Sequence, residues 1–74
     1  MAISLKAARV NAGMTQTAAA AEYNTRFGQR LATSTLVSWE QGKTWPTAQQ
    51  FRDLCDVYGV SMDDIFIPET LLIK

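Results

Sequence analysis

The chain contains no histidine, which removes the commonest general base and the commonest metal ligand. Its serines and threonines therefore have no imidazole to activate them as nucleophiles. The single cysteine, Cys55, can form no internal disulfide and has no partners for a thiol-rich zinc site. The glycines are scattered, and none belongs to a run that could cradle a phosphate. No apolar run approaches the length of a membrane span, and no secretory signal is recognisable at the start. The adjacent carboxylates Asp63 and Asp64 fall where a helix should begin, so they read as capping charges suited to the helix dipole rather than as a catalytic pair. Taken together, these absences exclude the usual enzyme chemistries. The expectation is a cytoplasmic chain with no metal, no cofactor, no small-molecule substrate and no membrane contact.

Net charge is also lacking, with seven cations against seven carboxylates. A nucleic-acid binder is usually basic, so zero at first argues against one. The charges are nevertheless unevenly placed. Residues 1–45 carry Lys6, Arg9, Arg26, Arg30 and Lys43 against Glu22 and Glu40, a net +3. Residues 46–74 carry Arg52 and Lys74 against Asp53, Asp56, Asp63, Asp64 and Glu69, a net −3. Such a split is either chance in a small chain or a basic front for phosphates with an acidic rear in water or against a partner.

What is present is helix-forming. A chain of 74 residues makes one domain, and 47% apolar content is enough for a core. Ser4 is placed to cap a first helix with Leu5, Ala8 and Ala12 on one face, stopped at Gly13. Thr15 is placed to cap a second helix, Gln16 to Tyr23, whose four successive alanines have the highest helix propensity. Residues 24–32 extend that helix, form an extra turn or make a loop; Phe27 and Leu31 share helical spacing, but Gly28 lies between them. Thr33, Ser34 and Thr35 offer caps for a third helix reaching Gln41, with Leu36 and Trp39 on its inner face and Gly42 at its end. Thr47 and Gln50 form a capping-box signature. Phe51, Leu54, Cys55 and Tyr58 then recur at i, i+3, i+4, i+7, an amphipathic stripe stopped at Gly59. Ser61 and Asp64 open a short fifth helix with Met62, Ile65 and Phe66, ended by Pro68. The expected domain is 1–67, with an apolar tail over 68–74.

The segment Thr33-Ser-Thr-Leu-Val-Ser-Trp-Glu-Gln-Gly-Lys-Thr-Trp-Pro46 is the most specific feature. Together with Ala12-Gly-Met-Thr-Gln16 upstream and Tyr58-Gly-Val-Ser-Met-Asp-Asp-Ile-Phe66 downstream, it resembles the Cro/C1-type (XRE) helix-turn-helix family of phage repressors. The three pieces stand in the family's order across residues 4–66. The implied fold is all-α, a five-helix lambda-repressor-like domain. The implied function is sequence-specific binding of double-stranded DNA by a dimeric transcriptional regulator. The third helix resembles a recognition helix, which implies base contacts for Thr33, Ser34, Val37 and Ser38. Gln16, Gln41, Lys43 and Thr44 match positions that hold the phosphate backbone. Arg9 and Glu40 match a structural ion pair between the first and third helices.

Gln16 and Trp39 lie farther apart than the family's common spacing. The chain therefore resembles most closely the minority with an enlarged segment between the second and third helices, here around Phe27-Gly28. Arg26 and Arg30 in that enlargement are either solvated charges or further phosphate contacts. The third helix has no Arg, Lys, Gln or Asn at its early positions. It therefore forgoes bidentate base contacts worth about 1–3 kcal/mol each. Trp45 either covers the core edge or lies against a sugar–phosphate backbone. Ile67, Leu71, Leu72 and Ile73 either form a homodimer surface or fold back onto the core. Two alternatives keep the fold but exchange the partner: a modulator that binds a repressor protein, and an antitoxin that binds a toxin.

Overall fold

A computed structural model describes residues 2–66. Four α-helices follow one another as α1 (Leu5–Asn11), α2 (Gln16–Phe27), α3 (Thr33–Glu40) and α4 (Ala48–Tyr58). Three of them are opened by the expected side chains. The Ser4 hydroxyl accepts from the Ala7 N–H at 3.0 Å and the Thr15 hydroxyl from the Ala18 N–H at 3.1 Å. Thr47 and Gln50 close a reciprocal capping box at 3.2 and 2.9 Å. Each such cap is worth about 1 kcal/mol, which matters in short helices with little nucleus of their own.

The helices bury one core. Leu36 of α3 and Leu54 of α4 are fully enclosed, and Leu5, Ala8, Ala19, Tyr23, Trp39, Phe51, Cys55, Val57 and Tyr58 pack around them. The α4 stripe is buried as its periodicity requires. In α2, Ala19, Ala20 and Tyr23 face inward while Ala18 and Ala21 remain exposed. The small inward residues let α2 pack against both α3 and α4. Trp45 lies on Phe51 with ring centroids 5.4 Å apart, so its ring covers the core edge.

The structure departs from the sequence expectation in two places, the fifth helix and the cap of α3, and resolves a third that was left open. There are four α-helices rather than five among the described residues, because Met62–Asp64 forms only a single 3₁₀ turn. The chain cannot continue as helix there. Ile65 is already extended and forms a parallel bridge with Ile3, through Ile3 N–H to Asp64 O at 2.8 Å and Phe66 N–H to Ile3 O at 2.7 Å. Those backbone groups, and the buried Ile65 side chain, are spent on tying the start of the domain to its end.

The alternatives left open for residues 24–32 are resolved in α2, which continues past Tyr23 to Phe27. It gains the Tyr23–Phe27 ring contact at 5.5 Å and stops at Gly28, whose φ of +63° is the left-handed region that L side chains rarely adopt. The enlargement is thus part helix and part loop. The second departure is at α3, which is capped by none of its hydroxyls. Its N-cap is Ala32, with no side-chain hydrogen bond, and Thr33 is already helical. Ile67 and the tail residues Leu71, Leu72 and Ile73 lie outside the described residues. No helix of the described residues is long and apolar enough to cross a membrane.

Candidate nucleic-acid interface

An α-helix advances about 100° per residue, from 3.6 residues per turn. With Leu36, Trp39 and Glu40 turned inward, that advance places Ser34, Val37, Ser38 and Gln41 on the opposite side of α3. Ser34 and Gln41 are exposed, while Thr33, Val37 and Ser38 are half-buried. The turn after α3 is folded back on the helix: the Ser38 carbonyl accepts from Lys43 N–H at 3.0 Å and Thr44 N–H at 3.5 Å. Lys43 and Thr44 are thereby held, exposed, beside the C-terminal end of α3.

Beneath this face sits a buried ion pair. Arg9 Nε and Nη2 donate to the two Glu40 oxygens at 2.7 and 3.2 Å, a bidentate geometry that fixes α1 against α3. The two side chains are 9% and 3% exposed. Arg9 Nη1 also donates to the Met14 carbonyl at 2.8 Å, in the joint leading to α2. The hydrogen bond to Glu40 raises the Arg9 pKa above its ordinary value, against the opposing effect of burial. Close by in electrostatic terms is the Tyr58 phenol, whose pKa is raised by burial and further by Glu40; its hydroxyl has no hydrogen-bond partner among the described residues.

The six residues expected at the phosphate backbone divide by their partners. The Gln16 amide donates to Glu40 at 3.1 Å and so buttresses the ion pair. Arg26 is engaged with Glu22 at 3.0 Å and with Asp56 of α4 at 3.4 Å, so two carboxylates already offset its charge. Gln41, Lys43 and Thr44 are exposed around the end of α3. Arg30 is exposed in the loop before α3, beside an open cleft of about 310 Å³ lined also by Tyr23, Gln29, Thr35 and Gln50. Among the described residues, neither Arg30 nor Lys43 has a carboxylate partner. Residues 28–47 contain only one carboxylate, Glu40, and Arg9 neutralises it. Within residues 28–47 the unpaired charges among the described residues are therefore both positive, although the chain is neutral.

Sequence reasoning missed the residue that organises the enlargement. The Asn24 side chain donates to the Leu31 carbonyl at 3.0 Å and accepts from the Leu31 N–H at 2.6 Å. The Asn24 carbonyl accepts from Gly28 and, at 3.3 Å, from Gln29. The only sequence signal was an Asn four residues before a Gly. Elsewhere, no cluster of three Cys, Asp or Glu side chains suited to a metal ion occurs among the described residues.

In comparison with known proteins, a family model described as helix-turn-helix matches residues 5–65. No curated protein and no solved structure matches the chain.

Proposed function

The chain belongs to the helix-turn-helix family in its XRE-type, Cro/C1-like form, a family of DNA-binding regulatory domains, and on that premise we propose that it is a sequence-specific transcriptional regulator of the phage repressor/Cro type, acting in the cytoplasm as a homodimer on a paired operator. The observation that supports this most is the surface around α3: an outward row of hydroxyls bracketed by Arg30 and Lys43, with no free carboxylate in residues 28–47. In this reading α3 enters the major groove. Thr33, Ser34 and Ser38 exchange hydrogen bonds with base edges, and Val37 meets a thymine methyl. Gln41, Lys43 and Thr44 hold the backbone and set the register. Arg9, Glu40 and Gln16 act beneath, fixing the angle at which α3 is presented.

Few cations and short hydroxyls give one copy low affinity, and pairing two copies on a two-fold site compensates. The exposed Phe66 leads into Ile67, Leu71, Leu72 and Ile73, the candidate pairing surface. The same exposed aromatic favours a second reading, in which this end of the domain binds a repressor or a toxin.

Selection of bound duplexes from a random pool tests the proposal. A consensus with two related half-sites is expected. Ser34→Ala relaxes the preference, whereas Lys43→Ala weakens all duplexes alike. Absence of binding even at low salt, with tight binding to a protein encoded alongside, overturns it in favour of the second reading.

A further inference from the structure

Arg30 occupies an unusual backbone setting. The residues on either side of it, Gln29 and Leu31, are both hydrogen-bonded to Asn24, the first to its carbonyl and the second to both ends of its side-chain amide. Gly28 is held by the same carbonyl. One residue of α2 thus fixes the loop on both sides of Arg30. The side chain itself is exposed and, among the described residues, unpaired. The neighbouring cation of the enlargement, Arg26, is by contrast tied to Glu22 and Asp56. The loop therefore presents one free positive charge at a defined place.

That place is the entrance to α3, opposite the end held by Lys43. An eight-residue helix at 1.5 Å per residue is about 12 Å long, close to the width of the major groove of B-form DNA. Resting on the DNA-binding reading above, we infer that the enlargement is a second backbone-contacting element: Arg30 neutralises a phosphate at the end of α3 opposite Lys43, and Asn24 is the positioning residue that holds it there. The contact compensates for the absence of bidentate base readers on α3. Arg26 takes no part in it.

The test is a fluorescence-polarisation titration of the full chain with a labelled mixed-sequence duplex over a range of salt concentrations. Each neutralised phosphate adds about 0.9 to the slope of log affinity against log salt. Arg30→Gln is therefore expected to lower that slope by about 0.9, so that the affinity lost on going from about 50 to about 200 mM salt shrinks about 3.5-fold. Arg30→Lys keeps the slope, and Arg26→Gln leaves it unchanged. Asn24→Ala lowers it as Arg30→Gln does, and adds nothing in the Arg30→Gln background. A purely structural role for Asn24 would lower the melting temperature and leave the slope alone, which overturns the positioning claim. Fast exchange of the Leu31 amide in the unaltered protein overturns it as well, whether or not Asn24→Ala folds. A steep slope for the unaltered protein with an unchanged slope for Arg30→Gln overturns the inference while sparing the DNA reading. A flat slope for the unaltered protein overturns both.

Discussion

Replacing Arg9 with Met keeps much of the apolar stem and removes the charge. It leaves the Glu40 carboxylate, whose side chain is 3% exposed, with the Gln16 amide as its one remaining side-chain donor among the described residues, and it strips the Met14 carbonyl of its bond to the guanidinium. Breaking one half of a buried pair costs about 3–5 kcal/mol, because the surviving charge stays out of water. A chain of 74 residues has in total about 4–11 kcal/mol at about 0.05–0.15 kcal/mol per residue. Arg9→Met should therefore remove about a quarter or more of the stability, and at about 4–8 °C per kcal/mol the melting temperature should fall by at least about 12 °C. The double variant Arg9→Met, Glu40→Leu removes both charges and should be more stable than Arg9→Met alone. Far-UV circular dichroism during thermal and urea unfolding reads both quantities. A loss under about 1 kcal/mol, the size expected of an exposed pair, refutes the reasoning, as does a double variant whose loss equals the sum of the singles.

Further outcomes follow from the same structure. Ala32 is exposed, has cap-like φ and ψ of −79° and 145°, and offers α3 no side-chain acceptor; Ala32→Ser should stabilise by about 1 kcal/mol, seen as a rise in melting temperature, and an unchanged melting curve would contradict the missing cap. Burial pushes the Cys55 thiol up from 9.0 to about 11. The unfolded chain releases that proton first, so this stability is intact below about pH 9 and declines as pH climbs through the folded value. Cys55→Ala should flatten the decline, and an unchanged pH slope would contradict a buried thiol. Tyr58→Phe, removing a buried hydroxyl with no partner among the described residues, should raise stability by about 1 kcal/mol in urea unfolding, and a loss would show that the hydroxyl is hydrogen-bonded.

The helical frame was legible because it is written locally. A capping box, a four-residue apolar stripe over residues 51–58 and a run of alanines each concern residues within two turns of one another, and α4 and the first part of α2 follow from them directly. The Arg9–Glu40 contact joins residues far apart in the chain, so only the family resemblance pointed to it. The Ile3–Ile65 bridge left no trace in the pattern, since one paired residue on each side gives no alternation to read. It also decided against a fifth helix, by taking the backbone groups that a further turn would need. At α3, three hydroxyls suggested a cap. The helix instead begins one residue earlier, and the first turn is left without a side-chain acceptor. Asn24 could not be read as a clamp without knowing that the chain reverses at Gly28.

The division of the candidate phosphate residues was likewise decided by tertiary partners. Gln16 is hydrogen-bonded to Glu40, and Arg26 is paired at the surface with Glu22 and Asp56, contacts that no local pattern in the sequence announces. Arg30 and Lys43 are the cations left over around α3. A neutral composition thus conceals a segment, residues 28–47, whose one carboxylate, Glu40, is buried against Arg9 while Arg30 and Lys43 have no carboxylate partner among the described residues.

Amide chemical-shift mapping of the nitrogen-labelled protein, titrated with duplex DNA at low salt, addresses this face most directly. The expected result is perturbation of Gln29 to Leu31 and of Thr33, Ser34, Val37, Ser38, Gln41, Lys43 and Thr44, with the acidic α4 residues Asp53 and Asp56 unaffected. Spectra unchanged by DNA, or changes confined to the neighbourhood of Phe66, would contradict the assignment of α3 as the DNA-contacting helix.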